Sequence, residues 1–205
     1  GLEIYTTSYE RTGGAGGYDL WVIRRASKEE DWGPPENLGI NTPDEESCSS
    51  ISSDGLTLYF NSNRPGGLGH YDLYMTKRSS TGDAWGTPAN MGSPFNSSVA
   101  DGEPWISPND LELYFQSFRP GGYGNADIYV ATRATPNDPW SNPVNLGSEV
   151  NSAYHEKFLS LSPDGLLLLF CDPGWNVPLR PGGYGEPDMW MTRRTTLSAA
   201  WQTPV

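Results

Sequence analysis

Three acidic residues recur at one spacing: Glu46, Asp101 and Glu156 stand 55 residues apart. Each lies fourteen residues before a phenylalanine (Phe60, Phe115, Phe170) and follows an asparagine (Asn41, Asn96, Asn151) of the same period. Carboxylates repeated around an axis can do three kinds of work. As hard oxygen ligands they suit Ca²⁺ or a similar cation, which makes these three the weak metal candidates of the chain. As a pair at a set separation they supply the acid and base of glycoside cleavage. Paired with arginines they only hold the scaffold. Four arginines recur with nearly the same period, so the scaffold reading accounts for the numbers best, and no residue is assigned as catalytic.

Other chemistry finds less footing. His155 and Lys157 flank Glu156 in the last copy alone, and His155 has the chemistry of a base or ligand. The second histidine, His70, falls in a different loop, which argues against zinc. No Gly-x-Ser-x-Gly elbow is present, so nucleophilic catalysis has no signature here. Lys plus Arg is 13 against 25 Asp plus Glu, a net charge of -12, and that excludes a phosphate-neutralising nucleic-acid binder.

The elements that position these residues come from a repeat. Arg11-Thr-Gly-Gly-Ala-Gly-Gly-Tyr-Asp19 returns as Arg64-Pro-Gly-Gly-Leu-Gly-His-Tyr-Asp72, Arg119-Pro-Gly-Gly-Tyr-Gly-Asn-Ala-Asp127 and Arg180-Pro-Gly-Gly-Tyr-Gly-Glu-Pro-Asp188. Thirteen residues after each Asp stands a tryptophan (Trp32, Trp85, Trp140, Trp201), and three further on a proline. Before three of the Gly loops runs a polar turn and an apolar strand: Ser52-Ser-Asp-Gly-Leu-Thr-Leu-Tyr-Phe60 and its counterparts ending at Phe115 and Phe170. Asp-Gly and Asn-Asp tolerate the positive φ of tight hairpins. Each copy therefore predicts four short strands, in the second copy near Cys48–Ile51, Leu56–Asn61, Tyr71–Arg78 and Trp85–Met91. With 24 Gly and 18 Pro and no sustained 3.6-residue apolar period, almost no helix is expected.

Four antiparallel strands per unit of this length make the blade of a β-propeller. The expectation is an all-β fold of about four blades in a single domain, residues 1–205, with repeats near 1–45, 46–100, 101–155 and 156–205. Gly1 aligns with Gly55, so the first copy is short of its innermost strand; Val205 aligns with Ala89, inside the last outermost strand. The ring is thus imperfect or fragmentary.

The Ser-Pro-Asp-Gly…Leu-Tyr-Phe block, followed by Asn-Arg-Pro-Gly-Gly-x-Gly-x-x-Asp-Leu-Tyr, resembles the WD-like propeller repeats of the TolB type. That resemblance implies a bacterial periplasmic or extracellular protein. It names no activity, because relatives include protein-binding platforms, peptidase gating domains and pectin-degrading lyases.

In the Gly loop, Arg11, Asp19, Arg64, Asp72, Arg119, Asp127, Arg180 and Asp188 are read as structural: Asp capping turn N–H groups, Arg pairing with a neighbouring strand. A phosphate cradle would lead into a helix, and this loop leads into a strand. Departures from the repeat are the ligand candidates. Six residues are inserted in the last copy between Cys171 and Leu179, carrying Trp175; Tyr123 and Tyr184 stand at loop tips. Exposed aromatics beside polar loops suit sugar stacking or a protein hot spot. Cys48 and Cys171 are read as free, buried thiols, with one disulfide as the alternative. No apolar run reaches the length of a spanning helix, and Gly1 opens no secretory signal. Two functions follow: a binding module for a protein or glycan partner with no cofactor, or a polysaccharide hydrolase or lyase built on Glu46, Asp101 and Glu156. A structural spacer is the third.

Overall fold

The computed structural model describes residues 1–172, 180–185 and 187–205. Among them every regular element is a strand, and the strands form four antiparallel meanders in chain order. The first sheet holds β1 (Glu3–Tyr9), β2 (Tyr18–Arg24) and β3 (Glu36–Asn37). The second holds β4 (Glu46–Ile51), β5 (Thr57–Ser62), β6 (Asp72–Lys77) and β7 (Ala89–Asn90). The third holds β8 (Asp101–Ile106), β9 (Glu112–Ser117), β10 (Asp127–Thr132) and β11 (Val144–Asn145). The last holds β12 (Lys157–Leu161), β13 (Leu167–Cys171) and β14 (Met189–Arg193). This is part of a β-propeller.

Local chemistry sets each hairpin. The Ser52 hydroxyl accepts from Thr57 N (2.9 Å) and donates to Asp54 (2.6 Å), and Ser107 and Ser162 repeat the arrangement. Gly55, Asp110 and Gly165 close the turn at φ 73°, 59° and 69°, a region Gly enters freely and Asp or Asn tolerates. The outermost strands are shorter than the sequence suggests, two residues rather than seven. Pro35, Pro88 and Pro143 bring no N–H to the ladder. The tryptophan upstream is drawn out of register beneath an arginine: Arg25 over Trp32, Arg78 over Trp85, Arg133 over Trp140 and Arg194 over Trp201, at 4.1 to 4.6 Å.

Sheets pack face to face through three apolar seams. Leu20 and Val22 meet Leu58 and Phe60; Tyr59 and Leu73 meet Leu113 and Phe115; Tyr114 and Ile128 meet Leu168 and Phe170. Each seam carries one edge-on pair, Tyr5–Trp85, Tyr59–Trp140 or Tyr114–Trp201, with centroids 6.2 to 6.5 Å apart. Arg78 reaches Glu3 across the first seam (2.6 Å) and Arg194 reaches Glu112 across the third (2.5 Å).

Among the described residues no seam joins the fourth sheet to the first. Met189 is 67% exposed where its counterparts Leu20, Leu73 and Ile128 are fully buried. The first sheet begins at the counterpart of β5, and its innermost position is empty of described chain. In the last sheet only Val205 reaches the outermost position, exchanging both backbone hydrogen bonds with Met191 (2.9 and 3.0 Å).

Candidate functional site

Strands β4, β8 and β12 line the axis, and each is broken at the same place. One extra residue bulges out between Ser47 and Ser50, between Gly102 and Trp105, and between Lys157 and Ser160. The bulged residues Cys48, Glu103 and Phe158 sit at φ 51°, 53° and 55°. None is glycine, so each stores backbone strain, which the ladder on either side holds in place. Their N–H groups, freed from the ladder, take side-chain acceptors: Cys48 from Thr7 Oγ1 (3.3 Å), Glu103 from Asn61 Oδ1 (3.1 Å) and Phe158 from Glu103 Oε2 (2.5 Å). The axial lining is thus knitted from one sheet to the next.

Around these bulges the axis is open. A cavity of about 340 Å³ at the end where the inner strands begin is lined by Ser47, Asn61, His70, Tyr71, Gln116, Phe118 and Lys157. It shares Cys48 and Glu103 with a second cavity of about 200 Å³, which continues past Trp105 and Phe158. A third, of about 440 Å³, opens at the opposite end beside Glu3, Tyr5 and Leu161 and shares Ser49 and Trp105 with the second. Burial pushes the Glu103 carboxyl up, while the Phe158 N–H and the Lys157 ammonium draw it back. Burial likewise raises the Cys48 and Cys171 thiols to about 11. Both cysteines are free and half-buried rather than fully buried. Tyr71 donates to the Glu45 carboxylate, and its phenol is raised by burial first and that bond second.

Glu46, Asp101 and Glu156 lie just upstream, fully enclosed. Glu46 accepts from Thr42 N (2.6 Å), Thr42 Oγ1 (2.7 Å) and Ser62 Oγ (2.7 Å), and meets Arg64 at 3.1 Å. Asp101 accepts from Ser97 N (2.6 Å), Ser97 Oγ (2.7 Å) and Ser117 Oγ, and meets Arg119 at 2.9 Å. The last copy differs. Asp172 replaces the serine, and Arg180 gives Nη2 to Val150 O and its main-chain N–H to Asp172. Glu156 accepts from Ser152, but among the described residues its Oε2 and Arg180 Nη1 have no partner. Burial therefore lifts the Glu156 carboxyl to about 7. Each acid is bonded within its own blade, and of the three only Asp101, fully buried, borders the axial cavity. A hard cation needs six or more oxygens, and these acids do not fit one jointly. Among the described residues no cluster of three His, Cys, Asp or Glu is arranged for a metal.

In the Gly loops, Asp19 accepts from Ala15 and Gly16 N, Asp72 from Leu68 and Gly69 N, Asp127 from Tyr123 and Gly124 N, and Asp188 from Tyr184 N. The second glycine of each loop leaves room for that carboxylate; a Cβ on Gly67 or Gly122 would collide with it. Arg11 lies over the Trp21 ring at 5.2 Å. Tyr184 is fully exposed and Tyr123 half-exposed. Trp175 lies outside the described residues. His155 packs edge-on against Phe118 (5.6 Å), and burial lowers its imidazole.

Sequence reasoning missed Glu103, Asn61, Tyr71 and Gln116. The 55-residue interval does relate Cys48, Glu103 and Phe158, and also Asn61, Gln116 and Cys171. Identity changes at every copy, so no motif marks them.

No protein-family model matches the sequence, and no curated protein matches it. Solved structures do. A TolB protein of Agrobacterium tumefaciens superposes with TM-score 0.59 at 16% identity, over 99% of this chain and 64% of that one. The alpha-L-arabinofuranosidase of Lactobacillus brevis gives 0.59 at 11% identity, over 98% and 70%. That of Podospora anserina, solved with cellotriose, gives 0.57 at 12% identity, over 98% and 62%. This chain spans somewhat under two thirds of the TolB chain's length. At these identities the likeness is one of fold.

Proposed function

We propose that the chain is a binding module that takes a protein or glycan partner at the axial mouth where its inner strands begin, and performs no chemistry on it. The observation that carries this reading is a division of labour among polar groups. Glu46 and Glu156 take no part in the wall of the axial cavity and Asp101, which borders it, is fully buried, whereas His70, Lys157 and the part-buried Glu103 border it beside the buried amides of Asn61 and Gln116. Fourfold repetition builds the frame, and copy-by-copy variation at the bulges gives the mouth its character. Fold neighbours of both kinds, TolB and arabinofuranosidases, are consistent with either partner class. A periplasmic or extracellular location, implied by the TolB-type resemblance, belongs to the same proposal. No described helix is long and apolar enough to cross a membrane.

The test is a thermal-shift scan against neutral and acidic oligosaccharides, Ca²⁺ and EDTA, run on the protein and on a His70→Ala/Lys157→Ala variant. A ligand at a hundred times its dissociation constant adds about 2.7 kcal/mol. A shift with one sugar class, lost in the variant while its unliganded Tm stays in place, supports a glycan at the mouth. A shift that survives the variant puts the ligand elsewhere and overturns the reading. A flat response points to a protein partner or a structural spacer.

A second reading, a polysaccharide hydrolase or lyase, has one observation in its favour. Glu103 is a carboxyl on the axis with its pKa raised by burial, the condition of a general acid. Release of reducing or unsaturated ends by the protein, abolished in Glu103→Gln, would establish it.

A further inference from the structure

The axial cavity of about 340 Å³ is walled by three consecutive sheets, from Ser47 on β4 to Lys157 on β12, and the repeat explains how its polar groups come to be spare. Ser47, Gly102 and Lys157 share one station of the inner strands, 55 residues apart. Gly102 leaves that station bare; a Cβ there would stand 3.2 Å from the Asn61 carboxamide. Lys157 is thus the one cation of the three. Its Nζ lies 5.8 Å from the centre of the Phe118 ring and makes no ion pair among the described residues.

Thr7, Asn61 and Gln116 hold a second shared station, each two strands into its sheet and facing the next. Thr7 Oγ1 accepts from the bulged Cys48 N–H, and Asn61 Oδ1 from the bulged Glu103 N–H. By the same rule Gln116 would serve Phe158 N–H, but Glu103 Oε2 already holds it at 2.5 Å. Gln116 is left over. It is 4% exposed, borders the cavity, and its Nε2 has no partner among the described residues. A buried carboxamide left unpaired costs free energy that a ligand oxygen would return.

The cavity groups sort by what they recognise. No arginine borders the cavity, so Lys157 offers a point charge, suited to a single carboxylate rather than to the forked grip a phosphate favours. The Gln116 amide and the Glu103 carboxylate suit hydroxyl groups, and Phe118 gives an apolar face beside them. Asp101 also borders the space, its charge met by Arg119 at 2.9 Å. The volume is at the small end of the range for ligand pockets, about 300–1,000 Å³, the size for one sugar ring. We propose that the cavity holds one hexuronate unit of an acidic glycan, its carboxylate on the Lys157 ammonium, its hydroxyls on Gln116 and Glu103, and its ring beside Phe118. This rests on the glycan reading of the axial mouth and names the class of sugar.

The experiment titrates the protein with methyl glucuronoside and methyl galacturonoside, with methyl glucoside and methyl galactoside as matched neutral sugars, and with acetate and phosphate. Binding is followed by NMR at the amides of Gly102, Glu103 and Gln116. Expected is a uronoside that binds about tenfold more tightly than its neutral counterpart, the gain of one charge-assisted hydrogen bond. Lys157→Gln should remove that preference and leave the neutral affinity in place. Gln116→Leu should weaken acidic and neutral sugars alike, with the melting temperature of both variants unchanged. The proposal is overturned, with the glycan reading intact, if neutral sugars bind at these amides as tightly as the uronosides. It is overturned as well if acetate or phosphate binds as tightly, or if the preference survives Lys157→Gln. No response at these amides to any sugar removes the glycan reading itself and leaves a protein partner.

Discussion

A repeated arginine has a different worth in each copy. Arg119 gives hydrogen bonds to Ser117, Phe95 O and Asp101, and its removal leaves a fully buried carboxylate without its counter-charge. Arg119→Ala should lower stability by about 3 kcal/mol, the usual penalty for breaking a buried pair. Arg11 has only the Trp21 face, so Arg11→Ala should lose less than about 1 kcal/mol. Urea denaturation of the two variants checks the contrast. Glu156 makes the matching point about pH. Its folded pKa, about 7, lies above the ordinary 4.5, so the native state binds the proton more tightly than the unfolded one. Stability from this group is therefore greatest below the unfolded pKa and falls as pH rises toward 7. Glu156→Gln should flatten the difference in Tm between pH 5 and pH 8 and raise Tm at pH 8. The sequence made the three acids visible as a set. It did not show Glu156 to be the odd member, because that depends on Asp172 lying opposite it, across a hairpin whose register only the fold reveals.

Strands and turns behave as their residues dictate, and bulges do not. Asp-Gly turns and alternating apolar runs were legible because each is a local preference. The axial bulges were not, since Cys48, Glu103 and Phe158 have nothing in common and none favours a left-handed backbone. The ladder imposes that conformation on them. Phe158, 53% exposed, is the place to measure the strain. Phe158→Gly should be neutral or stabilising by about 1 kcal/mol, whereas Phe158→Val should be clearly destabilising, because a β-branched residue tolerates positive φ least. The Gly loop offers the opposite experiment. Gly122→Ala should lower stability by more than about 2 kcal/mol, because its methyl would enter the space of the Asp127 carboxylate. Thermal melts of the three variants decide both points.

Across the whole molecule the periodicity disclosed the number of sheets and the imperfect ends. It could not disclose the axial mouth, because a repeat predicts what its copies share and the mouth is made where they differ. Exposure at a single repeat station has its own consequence for mutation. Leu73→Glu would place a charge in a sealed seam and should abolish folding. Met189→Glu, at the same station on the fourth sheet but 67% exposed, should change stability by less than about 0.5 kcal/mol. Circular dichroism of the two proteins tests whether that face is free in solution.

The edge-on pairs at the seams make the molecule its own optical instrument. Tyr5–Trp85, Tyr59–Trp140 and Tyr114–Trp201 hold donor and acceptor rings at nearly one distance and one angle. Light absorbed by each tyrosine passes to its indole as long as the seam is shut, and reappears as tyrosine emission when it parts. A single phenylalanine exchange at Tyr5, Tyr59 or Tyr114 would silence one seam at a time. The order in which the blades separate could then be read from emission color alone, with no attached dye.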